Sequence, residues 1–384
     1  MFYQLPPVGN PIRLSTRGVP EVRLEADFLP YQPRYYASGT AALAAAIRAV
    51  IQSRRAADLP EVILPAYGCP DLVSATVFAG ARPVLVDMEP DRPWMDLEHW
   101  SSRISERSVA ILAANLFGIS ERLDQLRPIA ERAGAVLIED SAQAFPSSGE
   151  ASIWHGKLVV LSFGRGKPVS LLGGGAVLFR EAAWADLLQQ ATVPSETGAG
   201  QWASFRLKSV LYNGMISPWL YWLPQSLPFL HLGETRFHTL PSIEAMDAVR
   251  RALLPANLAV YRDDDMAVQK ALVERLGDLD LAARGIIDLH RACQTPPERR
   301  LLRYPLLIRA TDRDRLYEKL KHCGLGPSGM YPAALPGISG LEELLAGQGP
   351  FPAAEGFATR ILTLPTHTGV RQADIAKMRR VLGA

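Results

Sequence analysis

The stretch Leu158-Val159-Val160-Leu161-Ser162-Phe163-Gly164-Arg165-Gly166-Lys167, continued by Leu171-Leu172-Gly173-Gly174-Gly175-Ala176-Val177-Leu178, leaves one apolar run, turns through glycines, presents a single lysine and enters a second apolar run. Short apolar runs without polar alternation read as strands buried on both faces. Lysine is seldom buried unless it is paired or chemically used. Among small residues and apolar strands Lys167 is desolvated, which suits an amine used in Schiff-base chemistry. An exposed lysine in an ordinary Gly-rich turn also accounts for the hexapeptide, so signals elsewhere in the chain must decide.

Upstream, short apolar runs alternate with amphipathic segments. Glu61 to Pro65, Arg82 to Asp87, Val109 to Asn115 and Ala135 to Asp140 read as strands, with helices at Pro70 to Gly80 and Leu123 to Ala133. This alternation predicts an α/β domain with a mostly parallel sheet covered by helices on both faces. Ligands of such sheets gather outside the carboxyl ends of the strands, where Asp140 stands. An acid there also serves as an ordinary helix cap. Ser38-Gly39-Thr40 precedes the helix-forming run Ala41 to Val50. Small residues entering a helix leave free N–H groups that favour an anion, or simply cap the helix through Ser38 or Thr40.

Downstream, Leu240 to Ala384 mixes helices at 243–254, 266–276, 312–323 and 372–382 with a strand-like run at Tyr304 to Arg309, which predicts a smaller α+β domain. The division is therefore placed at 1–240 and 241–384, with an aromatic, Pro-studded insert at about 202–237. That insert reads as a surface packed on the domain or on a partner subunit, or as a peripheral membrane contact.

The 384 residues carry a net charge of +2 with no basic cluster, which argues against nucleic acid as a partner. Cys69, Cys293 and Cys323 are widely spaced, without metal-ligand spacing, and suit a reducing cytoplasm. No export signal and no apolar run long enough to span a bilayer is legible.

In chain order, Gly39-Thr40-Ala41 offers a phosphate-ready helix start, Asp140 an acid and Lys167 an amine, with Ser162 on the same turn. These are the contacts pyridoxal 5'-phosphate requires: its phosphate neutralised, its pyridine nitrogen kept protonated and its aldehyde met by an amine. The sequence also resembles the DegT/DnrJ/StrS-type nucleotide-sugar aminotransferases of the aspartate aminotransferase fold, fold type I. The resemblance covers nearly the whole chain. It rests on Ser38 to Leu43, Leu64-Pro65-Ala66-Tyr67, Gly80 to Asp87, Ile138 to Ala144, Ser162-Phe163 with Lys167, Gly174-Gly175-Ala176, Gly329 to Pro332 and Leu364-Pro365.

The resemblance implies a large domain with a seven-stranded, mostly parallel sheet and pyridoxal 5'-phosphate as cofactor. Lys167 would bond the cofactor and shuttle the proton, Asp140 would pair with the pyridine nitrogen, and Gln143 would lie near the phenolic oxygen. Thr40, the Gly39 and Ala41 backbone and Ser162 would hold the phosphate. It further implies a cytoplasmic homodimer moving an amino group, with glutamate as donor, onto a keto-sugar nucleotide in polysaccharide or glycolipid assembly. An enzyme acting on a non-sugar amine or ketone, or a cofactor-binding regulatory protein without turnover, are the alternatives. The related sugar dehydratases carry histidine where Lys167 stands.

Four positions depart from the family. Cys69 stands where a ring-stacking aromatic is usual, with Tyr67 two residues earlier. Asn115 replaces a histidine. Leu172-Gly173-Gly174-Gly175 lacks the family's acid. No Asn-x-Arg-Met run, through which a neighbouring subunit reaches the phosphate, is recognisable around Thr235 to Ile243, where His238 is the nearest polar candidate.

Overall fold

A computed structural model describes residues 3–15, 28–54, 58–145, 154–194, 200–226 and 235–384. Seven strands form the larger sheet: β1 (Gln32–Tyr36), β2 (Glu61–Pro65), β3 (Arg82–Val86), β4 (Ser108–Ala114), β5 (Val136–Asp140), β6 (Leu158–Ser162) and β7 (Gly175–Phe179). Their order is β1-β7-β6-β5-β4-β2-β3. The β2–β3, β2–β4, β4–β5 and β5–β6 pairs are parallel, while β7 runs antiparallel to both β6 and β1. The parallel strands are buried along almost their whole length, which is why they lack polar alternation.

The Gly39–Arg54 helix lies on this sheet through nine buried residues, six of them alanines. Alanine favours the helix and is small enough to let its axis come close to the strands. The helix therefore begins directly beside the end of β6.

The smaller sheet is antiparallel, in the order β10-β9-β8, from β8 (Ile286–Asp288), β9 (Arg303–Ile308) and β10 (Ile361–Pro365). It is tied to the large sheet by named bonds. Leu302 N–H donates to the Phe117 carbonyl and Leu335 N–H to the Ala66 carbonyl. Asp87, just beyond β3, accepts from Ala353 N–H at 3.1 Å and Ala354 N–H at 2.8 Å, capping the Pro352–Arg360 helix. The strand-end acid at 87 is thus a helix cap, where a carboxylate also meets the positive end of the helix dipole.

One sequence expectation shifts here. The helix expected at 243–254 runs instead over Ala248–Asp263, capped by Asp247, whose side chain accepts from Arg250 N–H. It continues through Pro255, and Ile243 to Met246 stay extended because Glu244 and Ala245 bridge to Val193 and Tyr36. Its Val249, Leu253, Leu254 and Leu258 join the core that also holds Tyr35, Val159 and Leu178 of the large sheet. In the insert, helices occupy Gln201–Met215 and Trp222–Gln225, while the expected apolar residues Leu227, Phe229 and Leu230 lie outside the described residues.

His367 shows how the termini are locked together. It is buried, its Nε2 lies 3.0 Å from the Pro6 carbonyl, and its Nδ1 accepts from Gly369 N–H at 3.1 Å. The proton therefore sits on Nε2, and a second proton on Nδ1 would face an N–H donor. Burial lowers the imidazole to about 4, with the Pro6 hydrogen bond opposing the shift. The unfolded chain takes up this proton near its ordinary value while the folded chain refuses it. Stability conferred by this site is therefore full above about pH 6.5 and is lost as pH falls towards 4, by about 3 kcal/mol in all. Urea titrations at several pH values should show this acid limb in the native protein and a flatter one in His367→Gln.

Candidate active site

The carboxyl ends of β4, β5 and β6 and the start of the Gly39–Arg54 helix surround an open cleft. Gly39, Thr40, Cys69, Asp140, Gln143, Ser162 and Lys167 all line it. Residues separated by more than a hundred positions in the chain thus meet at one end of the sheet.

Each is held by local structure. Asp140 is the last residue of β5 and its Oδ1 accepts from Ala142 N–H at 2.9 Å, which turns the chain into Ser141-Ala142-Gln143. Gln143 is clamped at both ends of its amide: Oε1 accepts from Phe117 N–H at 2.8 Å, and Nε2 donates to Tyr331 Oη at 3.0 Å. Thr40 Oγ1 donates to Asp71 Oδ2 at 3.0 Å, and Ser162 Oγ accepts from Gly164 N–H. The Lys167 N–H closes the turn onto the Gly164 carbonyl.

Burial raises Asp140 above the ordinary carboxyl range, and the Lys167 charge is the largest force pulling it back down. Burial likewise pushes the Cys69 thiol up to about 12, with Asp71 raising it further and Lys167 opposing. Cys69 is thus a thiol and not a thiolate, a small soft wall residue beside the lysine. The Tyr331 hydroxyl, hydrogen-bonded to that thiol, is held well above its ordinary value, chiefly by burial.

Two residues expected at the site stand back from it. Tyr67 is fully buried: its hydroxyl donates to the Tyr331 carbonyl at 3.3 Å and its ring packs on Tyr331 and Phe357. The cleft wall at this place is Cys69. Ala41 is also buried, and its N–H donates to Ser38 Oγ at 3.0 Å, so the cap reading of Ser38 holds. Gly39 and Thr40 start the helix and leave N–H groups that no intrahelical acceptor can reach. His238 is exposed.

Several contributors were not read as site residues from the sequence. Asp71, in the first turn of the Asp71–Phe78 helix, and Tyr331 line the cleft. Asn115 is buried and ties the ends of β4 and β5 and the loop at Glu121 together. Its Nδ2 donates to Glu139 Oε1 at 2.9 Å and Ser141 Oγ at 2.8 Å, its Oδ1 accepts from Glu121 N–H, and its own N–H donates to the Asp140 carbonyl. The place of the family's missing acid faces Arg250: a Cβ on Gly173 would lie 3.2 Å from its Nε, which donates to the Leu171 carbonyl.

The donor set fits pyridoxal 5'-phosphate. A Cβ on Gly39 would stand 2.6 Å from Ser162 Cβ and 2.7 Å from its Oγ, so a glycine is what lets the helix N-terminus and the serine hydroxyl share one anion cradle. The amine and the carboxylate lie across the same cleft. Gly39→Ala is expected to displace Ser162, weaken cofactor retention at least tenfold and lower stability by about 1–3 kcal/mol. Equilibrium dialysis and thermal melts of the apo protein measure the two effects separately.

Residues 14–216 match the model of the DegT/DnrJ/EryC1/StrS aminotransferase family. The chain belongs to that family. The aminotransferase is 24% identical over 348 residues, 90% of its own length and 82% of the other's, to the UDP-N-acetyl-3-dehydro-α-D-glucosamine 3-aminotransferase of Acidithiobacillus ferrooxidans. A shorter stretch of 121 residues, 31% of this chain and 34% of the relative, is 31% identical to the UDP-2-acetamido-2-deoxy-3-oxo-D-glucuronate aminotransferase of Pseudomonas aeruginosa. Among solved structures, PseC of Helicobacter pylori, an aminotransferase involved in the biosynthesis of pseudoaminic acid, superposes with a TM-score of 0.70 at 16% identity, covering 97% of this chain and 92% of that one. A DegT/DnrJ/EryC1/StrS aminotransferase of Brucella abortus gives 0.67 at 23% identity, covering 93% and 87%. These likenesses establish the fold.

Proposed function

We propose that the protein transfers an amino group, from glutamate, to the keto carbon of a sugar carried on a nucleotide, with pyridoxal 5'-phosphate as cofactor. The observation that carries the reading is the convergence of Lys167, Asp140 and the Gly39–Ser162 cradle on one cleft at the carboxyl ends of the strands. The relatives named for UDP-linked keto sugars support the substrate class.

When bound, the cofactor supplies an aldehyde that accepts the amine and a protonated ring that withdraws electrons. The residues do the rest. The Gly39 and Thr40 N–H groups and the Ser162 hydroxyl would hold the phosphate, joined by the Thr40 hydroxyl on turning from Asp71. Asp140 would hold the proton on the pyridine nitrogen. Gln143, fixed by Phe117 and Tyr331, orients the phenolic edge. Lys167 Nζ would be the amine that holds the cofactor and the base that moves the proton during the exchange. Cys69 bounds one side of the cleft in place of an aromatic ring.

The protein works as a cytoplasmic homodimer, and a sedimentation mass of twice the 42.0 kDa chain checks the second part. Addition of glutamate to the loaded enzyme should collapse the visible absorbance of the lysine-bound cofactor and release 2-oxoglutarate. A UDP-linked 3-keto sugar should then restore the band and gain one amine by mass spectrometry. A cofactor band indifferent to every amine donor would establish a regulatory protein instead.

A further inference from the structure

The Gln201–Met215 helix has two unlike faces. Phe205 and Ser209 are buried, and Tyr212 on the same face packs over the lysine turn, close to the Gly166 backbone and Ser170. The opposite face is apolar and open. Leu207 is 62% exposed, Val210 58% and Leu211 57%, with Gly214 and Met215 continuing the i, i+3, i+4 stripe. Trp202 begins the helix, and Trp219, Leu220 and Leu223 extend the exposed apolar surface beyond its end. Arg206 and Lys208 flank the stripe, both exposed.

The segment that forms this face carries no carboxylate of its own, while Glu244 and Asp247 line the cleft beside Lys208. Between Glu196 and Glu234 there is no aspartate or glutamate, while Arg206, Lys208 and His231 fall within it. In the described residues no helix is long and apolar enough to cross a membrane. We propose that this face docks the protein on the surface of an anionic bilayer, with the leucine and valine stripe in the acyl boundary and the tryptophans at headgroup level.

The charge pattern favours lipid over a second copy of the chain. In a two-fold interface the same patch would meet itself, so Arg206 and Lys208 would face a segment that carries no acid to pair with them. An anionic headgroup layer supplies that charge, and flanking Lys and Arg around an apolar stripe are what an interfacial helix requires. Tryptophan, apolar in body and polar at one edge, is suited to the same boundary. Through Tyr212 the docked helix would hold the lysine turn next to the membrane, where a glycolipid assembly would draw its aminated sugar. The docking stands independently of the assigned reaction.

The test is co-sedimentation of the full, cofactor-loaded chain with phosphatidylglycerol-rich vesicles and with pure phosphatidylcholine vesicles. Binding to the first is expected, at least tenfold weaker binding to the second, and release by salt. Arg206→Glu combined with Lys208→Glu should lower binding roughly thirtyfold. Leu207→Glu combined with Leu211→Glu should abolish it, while the cofactor absorbance of both variants shows that they are folded. Equal recovery in the supernatant with and without anionic vesicles overturns the proposal, as does undiminished binding by the leucine variant. A wild-type dimer that becomes a monomer in the leucine variant without any vesicle binding assigns the face to a second copy and overturns it as well.

Discussion

Lys167→Ala should keep its fold and lose roughly 10⁴-fold or more of its turnover, the upper range for removal of a positioned acid–base group. The side chain borders the cleft on a turn whose shape is set by backbone bonds, Lys167 N–H to the Gly164 carbonyl and Phe163 N–H to the Gly174 carbonyl, so truncation leaves the turn in place. The variant should fail to develop the absorbance of lysine-bound cofactor while its far-ultraviolet dichroism matches the native protein. A linked effect is readable without turnover. Asp140 is raised by burial and lowered chiefly by the Lys167 charge, so losing the lysine should raise its pKa further. The protonated carbonyl stretch of Asp140, followed by infrared difference spectroscopy against pH, reports that rise. A variant retaining the lysine-bound absorbance would overturn the assignment of this residue.

Asp140→Asn should reduce turnover roughly 10²–10³-fold, the scale for removing one charged stabilising group from a site, and weaken cofactor retention at least tenfold. The asparagine oxygen can still accept from Ala142 N–H, so the 2.9 Å bond that forms the turn survives and the loss reports charge alone. Asp140→Ala would also break the turn and displace Gln143, mixing two effects. Asp140→Glu, which restores the charge one methylene farther out, should recover part of the turnover but not the affinity. Steady-state kinetics with separate measurement of the dissociation constant distinguishes these outcomes.

The fold was legible because the strands that matter are continuous apolar runs, and full burial on two faces imposes that pattern whatever the partner. Val109 to Asn115 and Ala135 to Asp140 were placed within one residue of the observed β4 and β5. What escaped was set by contacts remote in sequence. Gln32–Tyr36 becomes a strand because it pairs with β7, and Ile243 to Met246 stay extended because Ala245 and Glu244 bridge to Tyr36 and Val193. Neither outcome has a local signal.

The site divides in the same way. Lys167, Asp140 and Gly39 could be named from residue type and from their place at strand ends and a helix start, since backbone geometry makes those places reactive or anion-ready wherever they occur. Which side chains actually face the cleft is decided by packing. Tyr67 and Cys69 are two residues apart, yet Tyr67 is drawn into the core by Phe357 and the Tyr331 carbonyl, leaving the thiol at the wall. Asn115, seen in the sequence only as the replacement of a histidine, gains its role because β4 and β5 lie side by side and bring Glu139 and Ser141 within reach. The chain itself therefore determined the sheet, the lysine turn and the chemistry they permit, through short-range pattern. The tertiary structure alone decided which neighbours shape the cleft and which apolar face is left uncovered, because both depend on packing between segments far apart in the chain.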